Sequence, residues 1–161
     1  MKLKIHKTNA SRLLDKAKIP YELISYEVDE ADLSAILVAK RLGEDVRQVF
    51  KTLVLSGDKN GYFVCIVPGN LDVDLKAAAK VSGNKKAEMI PMKDLLSVTG
   101  YIRGGCTAIG MKKKFPAYIH ETCLEFDAIF ISAGVRGLQI KISPSAFIQY
   151  IDAVVADIVT T

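Results

Sequence analysis

Lys51 is the side chain whose position in the sequence points most directly to chemistry. It lies in the run 49–55 (VFKTLVL), where apolar residues occupy both alternating sets, so the strand is predicted to be buried on both faces. An unpaired buried ammonium is costly, so this lysine should meet a carboxylate, line a polar cavity or bind an anionic or carbonyl ligand. Alternatively, its methylenes pack inside and its charge reaches water at the strand end.

A second candidate is the glycine-rich segment 104–110 (GGCTAIG). Its glycines would let a ligand approach backbone amides closely, as anion and oxyanion sites require. It lacks the lysine and spacing of a phosphate-binding P-loop, and a tight connection between two elements would use the same residues. Further along, 134–137 (GVRG) lies between two predicted strands and is interpreted as a hairpin turn with a merely exposed Arg136.

No familiar catalytic or metal-binding motif accompanies these segments. The sequence has no GxSxG or HExxH, and His6 and His120 are its only histidines. Cys106 is the best candidate for a nucleophile, although no activating histidine is indicated and a small cysteine often simply packs. Together with Cys65 and Cys123 it forms no CxxC pair. The sequence therefore predicts no disulfide framework, no metal and no cofactor.

Basic residues cluster in two groups, although the formal net charge of +4 is too small by itself to indicate a polyanionic partner. The first group consists of Arg103, Lys112, Lys113 and Lys114, and the second of Lys76, Lys80, Lys85 and Lys86. Such groups could follow a phosphate backbone, or they could be ordinary solvated faces.

Length and composition indicate one packed domain over residues 1–161, since 50% of the residues are apolar and 25% are charged. No apolar run approaches the roughly 20 residues that cross a bilayer. The segment 1–10 lacks the apolar centre of a signal peptide. We therefore expect a cytoplasmic protein with no membrane partner.

Periodicity predicts interspersed helices and strands that must position these side chains. Helices are predicted from Thr8 to before Pro20, from Asp32 or Ser34 to Gly43, over 71–82 and 92–98, and after Ser143-Pro144 with an apolar stripe through Phe147, Ile151, Val154 and Ile158. Strands are predicted over 21–28, 49–55, 62–67, 117–120, 128–132 and 138–142, the second and third forming an antiparallel hairpin across Asn60-Gly61. The predicted fold class is mixed α/β, with an antiparallel or mixed sheet surrounded by helices and a closed barrel as one form the sheet could take.

Five segments occur in an order that resembles the YbaK family. They are Thr8-Asn9-Ala10, Tyr26-Glu27, Val49-Phe50-Lys51-Thr52-Leu53, the run 104–113 (GGCTAIGMKK) and the run 132–138 (SAGVRGL). The family comprises free-standing aminoacyl-tRNA deacylases related to the editing insertion domain of bacterial prolyl-tRNA synthetase. The resemblance covers nearly the whole chain.

The resemblance implies trans-editing, the hydrolysis of cysteine wrongly attached to tRNA(Pro), on a compact mixed α/β fold. It implies that Lys51 is the catalytic group and holds the terminal adenosine or its ester region. The implied substrate-binding residues are Tyr26, Thr52, Gly104, Gly105, Cys106, Thr107, Gly110, Ser132, Gly134, Arg136 and Gln139. The resemblance also implies a tRNA partner, and Arg103 and Lys112 to Lys114 would then contact its phosphate backbone. In YbaK-like enzymes the substrate's own thiol attacks the ester, so the protein supplies positioning and electrostatics.

Two departures from the family pattern bear on selectivity. Thr107-Ala108 stands where relatives usually carry Ser-Pro, which keeps a hydroxyl but loses the stiffness of proline. Gln139 stands where many relatives have an acidic residue, and a neutral amide cannot be the counter-charge of a lysine or of a substrate ammonium. A deacylase for another small amino acid, such as alanine, and a non-catalytic module that binds tRNA ends therefore remain alternatives. Docking on prolyl-tRNA synthetase is left open.

Overall fold

Residues 5–160, which the computed structural model describes, form five α-helices and eight β-strands. The helices are α1 (Asn9–Lys16), α2 (Ala35–Leu42), α3 (Leu75–Val81), α4 (Leu95–Thr99) and α5 (Pro144–Ile151). The strands are β1 (Tyr21–Ser25), β2 (Phe50–Gly57), β3 (Gly61–Pro68), β4 (Ala87–Met89), β5 (Ala117–His120), β6 (Ile129–Ser132), β7 (Leu138–Ile142) and β8 (Val154–Ala156).

The described strands form two sheets. The smaller is antiparallel, in the order β1-β7-β6, and the larger has the order β4-β2-β3-β5-β8. In the larger sheet β2 pairs antiparallel with β3 and β4, whereas β5 pairs parallel with β3 and β8. A bridge between Val49 and Phe130 joins the start of β2 to β6. The predicted mixed α/β class is confirmed, with two joined sheets in the described residues rather than a closed barrel.

Side-chain caps set several helix ends. The Thr8 hydroxyl accepts a hydrogen bond from the first turn of α1, and Ser34 does the same for α2, which ends at Gly43 with a φ of 70°. These predicted ends are confirmed. The third helix begins at Leu75 rather than at residue 71, because the Asp74 carboxylate accepts from backbone N–H groups there and so caps the helix.

The prediction of a last helix running through Ile158 is wrong. The helix α5 ends at Ile151, because Asp152 adopts a left-handed conformation with a φ of 54°. The chain then forms β8, whose β-branched Val154 pairs beside β5, and Ile158 donates its backbone N–H to Nδ1 of His120 at 3.3 Å. Strand pairing therefore outweighs the helical spacing of the apolar residues.

The hairpin β2–β3 is buried on both faces, as predicted. Phe50 and Val54 pack into the largest apolar cluster, which includes α5 and the small sheet. Leu55, on the opposite face, packs in a second cluster with Ala78 of α3. Within residues 5–160, none of the helices has both the length and the apolar character that crossing a membrane requires.

Candidate functional site

A cavity of about 510 Å³ opens at the edge of β2 that does not face β3. That edge is divided, because among residues 5–160 the bridge to β6 is at Val49, just before β2, and the pairing with β4 runs from Leu55 to Gly57. The cavity lies between these two contacts and is lined by residues 49–54 of the chain. Its site is therefore created by the gap between two neighbouring strands.

Lys51 enters this cavity as a half-buried ammonium. Its Nζ lies 3.4 Å from the carbonyl oxygen of Gly69, and it forms no ion pair within residues 5–160. Burial lowers the pKa of Lys51, and the charge of Asp72 opposes that effect. Lys51 thus lines a cavity, as one of the two sequence interpretations expected, and it supplies positive charge with little compensation.

Ser132 and Gln139 face each other in the β6–β7 pair and line the same cavity. Ser132 Oγ accepts a hydrogen bond from the backbone N–H of Gly134 at 3.1 Å. Gln139 is only 5% exposed, and its Oε1 has no hydrogen-bond partner among the described residues. A buried amide oxygen without a partner is costly, so Oε1 has unused capacity to accept a hydrogen bond from a ligand in the cavity.

The glycine segment contributes Gly104 and Cys106 to the cavity lining. Gly104 has a φ of +85°, a conformation that favours glycine, and Gly105 is pressed against the β6–β7 turn, where an added Cβ would come within 3.2 Å of Val135. Gly104 therefore presents main chain to the cavity, while Gly105 provides close packing behind it.

The remainder of this segment lies outside the cavity lining. Thr107 is fully buried, and its hydroxyl accepts from the backbone N–H of Ile109 at 3.4 Å. Gly110 has a φ of +74°, and a Cβ there would lie 2.9 Å from Leu13 of α1. In this structure Thr107 and Gly110 hold the shape of the segment.

Cys106 is poorly suited to act as a nucleophile. Burial raises its pKa to about 12, despite an opposing hydrogen bond with Thr99, so the thiol stays protonated near neutral pH. His120 does not line the cavity, and its Nδ1 instead accepts a hydrogen bond from the backbone N–H of Ile158. Within the range 5–160, no group of three or more His, Cys, Asp or Glu side chains could hold a metal ion.

Arg136 connects the hairpin turn to two other loops. The segment 134–137 joins β6 to β7 as predicted, but the interpretation of its arginine as merely exposed is wrong. Its Nε donates to the Arg103 carbonyl at 2.9 Å, and its Nη1 lies 2.6 Å from Oε2 of Glu30. Arg136 and Gly134 both lie outside the cavity lining, and Arg136 holds the start of the glycine segment through its bond to Arg103.

Tyr26 borders a small recess that adjoins the main cavity. The recess shares Leu33, Val38 and Gly104 with the cavity lining. The Tyr26 backbone N–H donates to the Gly137 carbonyl at 3.0 Å, which fixes the chain just after β1. Tyr26 is therefore a neighbour of the cavity rather than part of its wall.

Sequence reasoning missed several residues of the cavity lining. They include Ser34, Gly69, Met89, Ile90, Met92 and Leu95. Met89 and Met92 are 42% and 57% exposed, which is unusual for large apolar side chains beside a polar site. A Pro-Gly pair such as Pro68-Gly69 is typical of a turn and could have indicated this part of the lining. The exposure of the methionines has no signal in the sequence, because it depends on where β4 lies.

The two basic groups occupy different surfaces. Arg103 lines the cavity. Lys112, Lys113 and Lys114 lie just after the glycine segment in the chain, where they are exposed and outside the cavity lining. Lys114 pairs with Asp152. Lys76, Lys85 and Lys86 of the second group surround a separate open depression.

Comparison with known proteins gives consistent matches. A family profile described as the aminoacyl-tRNA editing domain matches residues 31–150. EbsC of Enterococcus faecalis, described as a candidate Cys-tRNA(Pro)/Cys-tRNA(Cys) deacylase, is 48% identical over 154 residues, which are 96% of this chain and 94% of that protein. YwhH of Bacillus subtilis, which has no described activity, is 23% identical over 77% of this chain and 80% of its own length. The crystal structure of a candidate trans-editing enzyme for prolyl-tRNA synthetase has a TM-score of 0.81 over 97% of this chain and 100% of that one, and at 21% identity the likeness concerns the fold alone.

Proposed function

The chain belongs to the aminoacyl-tRNA editing domain family, and from this membership we propose that it is a trans-editing deacylase that removes cysteine wrongly attached to tRNA(Pro). The 48% identity to EbsC over nearly the whole of both chains supports this substrate class. We extend the proposal to one deacylase domain over all 161 residues.

The observation that carries the proposal is the half-buried Lys51 ammonium in a cavity beside the main chain of Gly104. Attack on an aminoacyl ester places negative charge on the carbonyl oxygen. A cation with no ion pair among the described residues, together with backbone N–H groups, can stabilise that charge in a site from which water is partly excluded. Lys51 is accordingly the proposed catalytic residue, with Gly104 beside the same ester.

The proposed nucleophile is the thiol of the substrate cysteine, because the pKa of Cys106 is raised to about 12 by burial. The substrate sulfur forms a bond to its own ester carbon, and the thiol proton passes to solvent water. The carbon–oxygen ester bond then breaks, and the terminal ribose oxygen takes up a proton. The cyclic thioester that leaves is opened by water to free cysteine, so the overall reaction is hydrolysis.

Ser132 and Gln139 are proposed to hold the amino-acid end of the substrate. The unpartnered Oε1 of Gln139 can accept a hydrogen bond from the substrate ammonium or thiol. Because the amide is neutral, it orients the substrate without adding a counter-charge beside Lys51. The remaining residues, Tyr26, Gly105, Thr107, Gly110, Gly134 and Arg136, are proposed to act by positioning this wall and the glycine segment.

The partner is tRNA, as for the family as a whole. We propose that Arg103 and Lys112 to Lys114 contact its phosphate backbone, since they are exposed and Arg103 borders the cavity. Prolyl-tRNA synthetase is a further proposed partner, because it produces the mischarged tRNA. Such a substrate would place the activity in the cytoplasm.

A panel of aminoacyl-tRNAs tests the function directly. The protein should deacylate Cys-tRNA(Pro) fastest and Ser-tRNA far more slowly, because a hydroxyl is a weaker nucleophile than a thiol near neutral pH. Cys106→Ala should still deacylate Cys-tRNA(Pro), whereas an inactive but folded variant would point to an enzyme nucleophile. Faster cleavage of Ala-tRNA would favour the small-amino-acid alternative. Binding without any hydrolysis would favour the non-catalytic module.

A further inference from the structure

The edge of β2 that faces the cavity carries main-chain groups directed away from β3. The backbone N–H of Gly69 donates to the carbonyl of Val49 at 2.7 Å, which marks this pair as hydrogen-bonded. In an antiparallel ladder every second residue repeats that pattern, and the residues between direct their N–H and carbonyl groups to the opposite edge. Thr52 and Val54 are such residues. The Ile90 N–H confirms this, because it donates to the Val54 carbonyl from that opposite side at 3.2 Å.

Among the described residues, neither neighbouring strand pairs with Thr52 on this side. The bridge to β6 is at Val49, and the pairing with β4 begins at Leu55. Among residues 5–160, the only strand residue paired with Thr52 is Ile66 of β3, which lies on the other edge. Thr52 lines the cavity, so its backbone N–H and carbonyl form a donor and an acceptor that point the same way at the open edge.

Apolar side chains flank this donor and acceptor pair. Met89 and Met92 are strongly exposed, and both line the cavity together with Ile90 and Leu95. Methionine is flexible and polarizable, and its sulfur makes favourable contacts with aromatic rings. A flat heteroaromatic ring with an adjacent acceptor and donor on one edge would therefore satisfy both the apolar wall and the strand edge.

We propose that the main chain of Thr52 recognises the adenine base at the 3′ end of tRNA. The Thr52 N–H would donate to ring nitrogen N1 of adenine, and its carbonyl would accept from the N6 amino group, while Met89 and Met92 contact the ring. Guanine and uracil present a donor where N1 of adenine accepts, so they do not match. Cytosine matches the pattern but lacks the second ring that would fill the apolar wall. This inference rests on the proposed function and adds which part of the substrate the open edge binds.

The test uses cysteinylated tRNA(Pro) minihelices that differ only in the terminal base. One ends in adenosine, one in 1-deazaadenosine, which lacks the N1 acceptor, and one in purine riboside, which lacks the amino donor. Loss of one hydrogen bond should lower kcat/KM of the wild-type protein about tenfold for each analogue. Equal rates on all three minihelices would overturn the inference while leaving the deacylase function standing.

Two variants separate the main chain of Thr52 from its side chain. Thr52→Pro removes the outward N–H without removing a hydrogen bond to β3, and proline is tolerated at such edge positions. Its kcat/KM should be about tenfold below that of the wild-type protein on the minihelix that ends in adenosine. Replacing that adenosine by 1-deazaadenosine should lower kcat/KM no further. Thr52→Val keeps the N–H and should retain the preference for adenosine over 1-deazaadenosine, whatever its rate.

Binding measurements keep the inference testable if the chemistry fails. If no aminoacyl-tRNA is cleaved, the proposed function fails, and the three uncharged minihelices are then compared by equilibrium binding. Weaker binding of both analogues would support recognition of adenine, and equal binding would overturn it. If Thr52→Pro does not fold, as judged by circular dichroism, the wild-type series with the three bases decides alone.

Discussion

The two edges of strand β2 have opposite characters. One edge pairs with β3 along its whole length, from Phe50 with Pro68 to Gly57 with Gly61. The other edge is shared between β6 and β4 and is open in the middle, where the cavity lies. A single strand therefore anchors the fold on one side and supplies the proposed site on the other.

The polar groups follow the same division. On the β3 side, the main-chain groups of β2 are hydrogen-bonded in the β2–β3 ladder. Fully buried side chains of β3, such as Val67, shield this ladder from water. On the cavity side, Lys51 has one long contact to a carbonyl, and Oε1 of Gln139 has no partner within the described residues. Because such groups lower stability when left without partners, their presence indicates a place where a ligand completes the bonding.

The largest expected effect comes from comparing Lys51 with its register partner Val67. Lys51→Ala should lower deacylation about 100- to 1000-fold, as loss of one group that stabilises developing charge does, with little change in the free energy of unfolding. Val67→Ala should instead lower the free energy of unfolding by about 2 kcal/mol, because it removes buried methyl groups. Single-turnover deacylation and urea unfolding measure the two quantities. An active Lys51→Ala variant would contradict the site assignment.

A smaller effect, up to about tenfold, is expected from pH. Burial lowers the pKa of Lys51, so its charge is present below that lowered pKa and is lost as pH rises through it. The deacylation rate should therefore begin to decline at a lower pH than it would if Lys51 had the pKa of an ordinary lysine. Lys51→Arg keeps its charge to higher pH, so the ratio of the Lys51→Arg rate to the wild-type rate should rise with pH. The spontaneous hydrolysis of the ester is subtracted at each pH, and a constant ratio would contradict a required charge on a Lys51 whose pKa is lowered.

Gln139 offers a change in which stability and activity should move in opposite directions. Gln139→Met removes a buried oxygen without a partner and keeps a similar volume, so it should raise the free energy of unfolding by about 1 kcal/mol. Deacylation should fall several-fold, because the substrate loses a hydrogen-bonding group. Leu138→Met, one residue away on β7, is the matched control and should change neither quantity appreciably. A fully active Gln139→Met variant would remove Gln139 from the substrate-binding set.

The smallest effect is expected beyond the open edge, at Lys112, Lys113 and Lys114. Replacing all three by alanine should weaken tRNA binding and reduce its salt dependence, since each phosphate contact contributes about one counterion to the slope. The control replaces Lys76, Lys85 and Lys86, which removes the same charge from another surface. Filter binding over a series of salt concentrations measures the slope. Equal changes in both triple variants would assign the effect to net charge alone.

Local patterns in the sequence predict much of the fold and two parts of the cavity, Lys51 and the start of the glycine segment. The hairpin β2–β3 follows from two β-rich runs and a turn at Gly61, whose φ is 72°. The caps at Thr8 and Ser34 are predictable because their partners lie within one helical turn. Lys51 is identified for the same kind of reason, as a charge in an apolar run of neighbouring residues.

That these parts share one cavity could not be predicted in this way. Met89, Gln139 and Gly104 are far apart in sequence and line the same cavity only because β4, β7 and the glycine segment converge on one edge of β2. The bonds of Arg136 to Arg103 and Glu30 likewise span long sequence separations. No sequence periodicity or short motif predicts contacts between such distant residues, because these contacts depend on which strands pair.

By itself, then, the sequence determined the elements whose signals are local: alternation in β2, caps on α1 and α2, and the ordered segments that resemble the YbaK family. Only the tertiary structure decided that the chain leaves α5 at Asp152 to form β8, and that burial raises the pKa of Cys106 to about 12. It also decided that β4 and β6 leave part of β2 uncovered. Strand partners and burial are properties of residues brought together by folding, whereas propensity and periodicity act between neighbours along the chain.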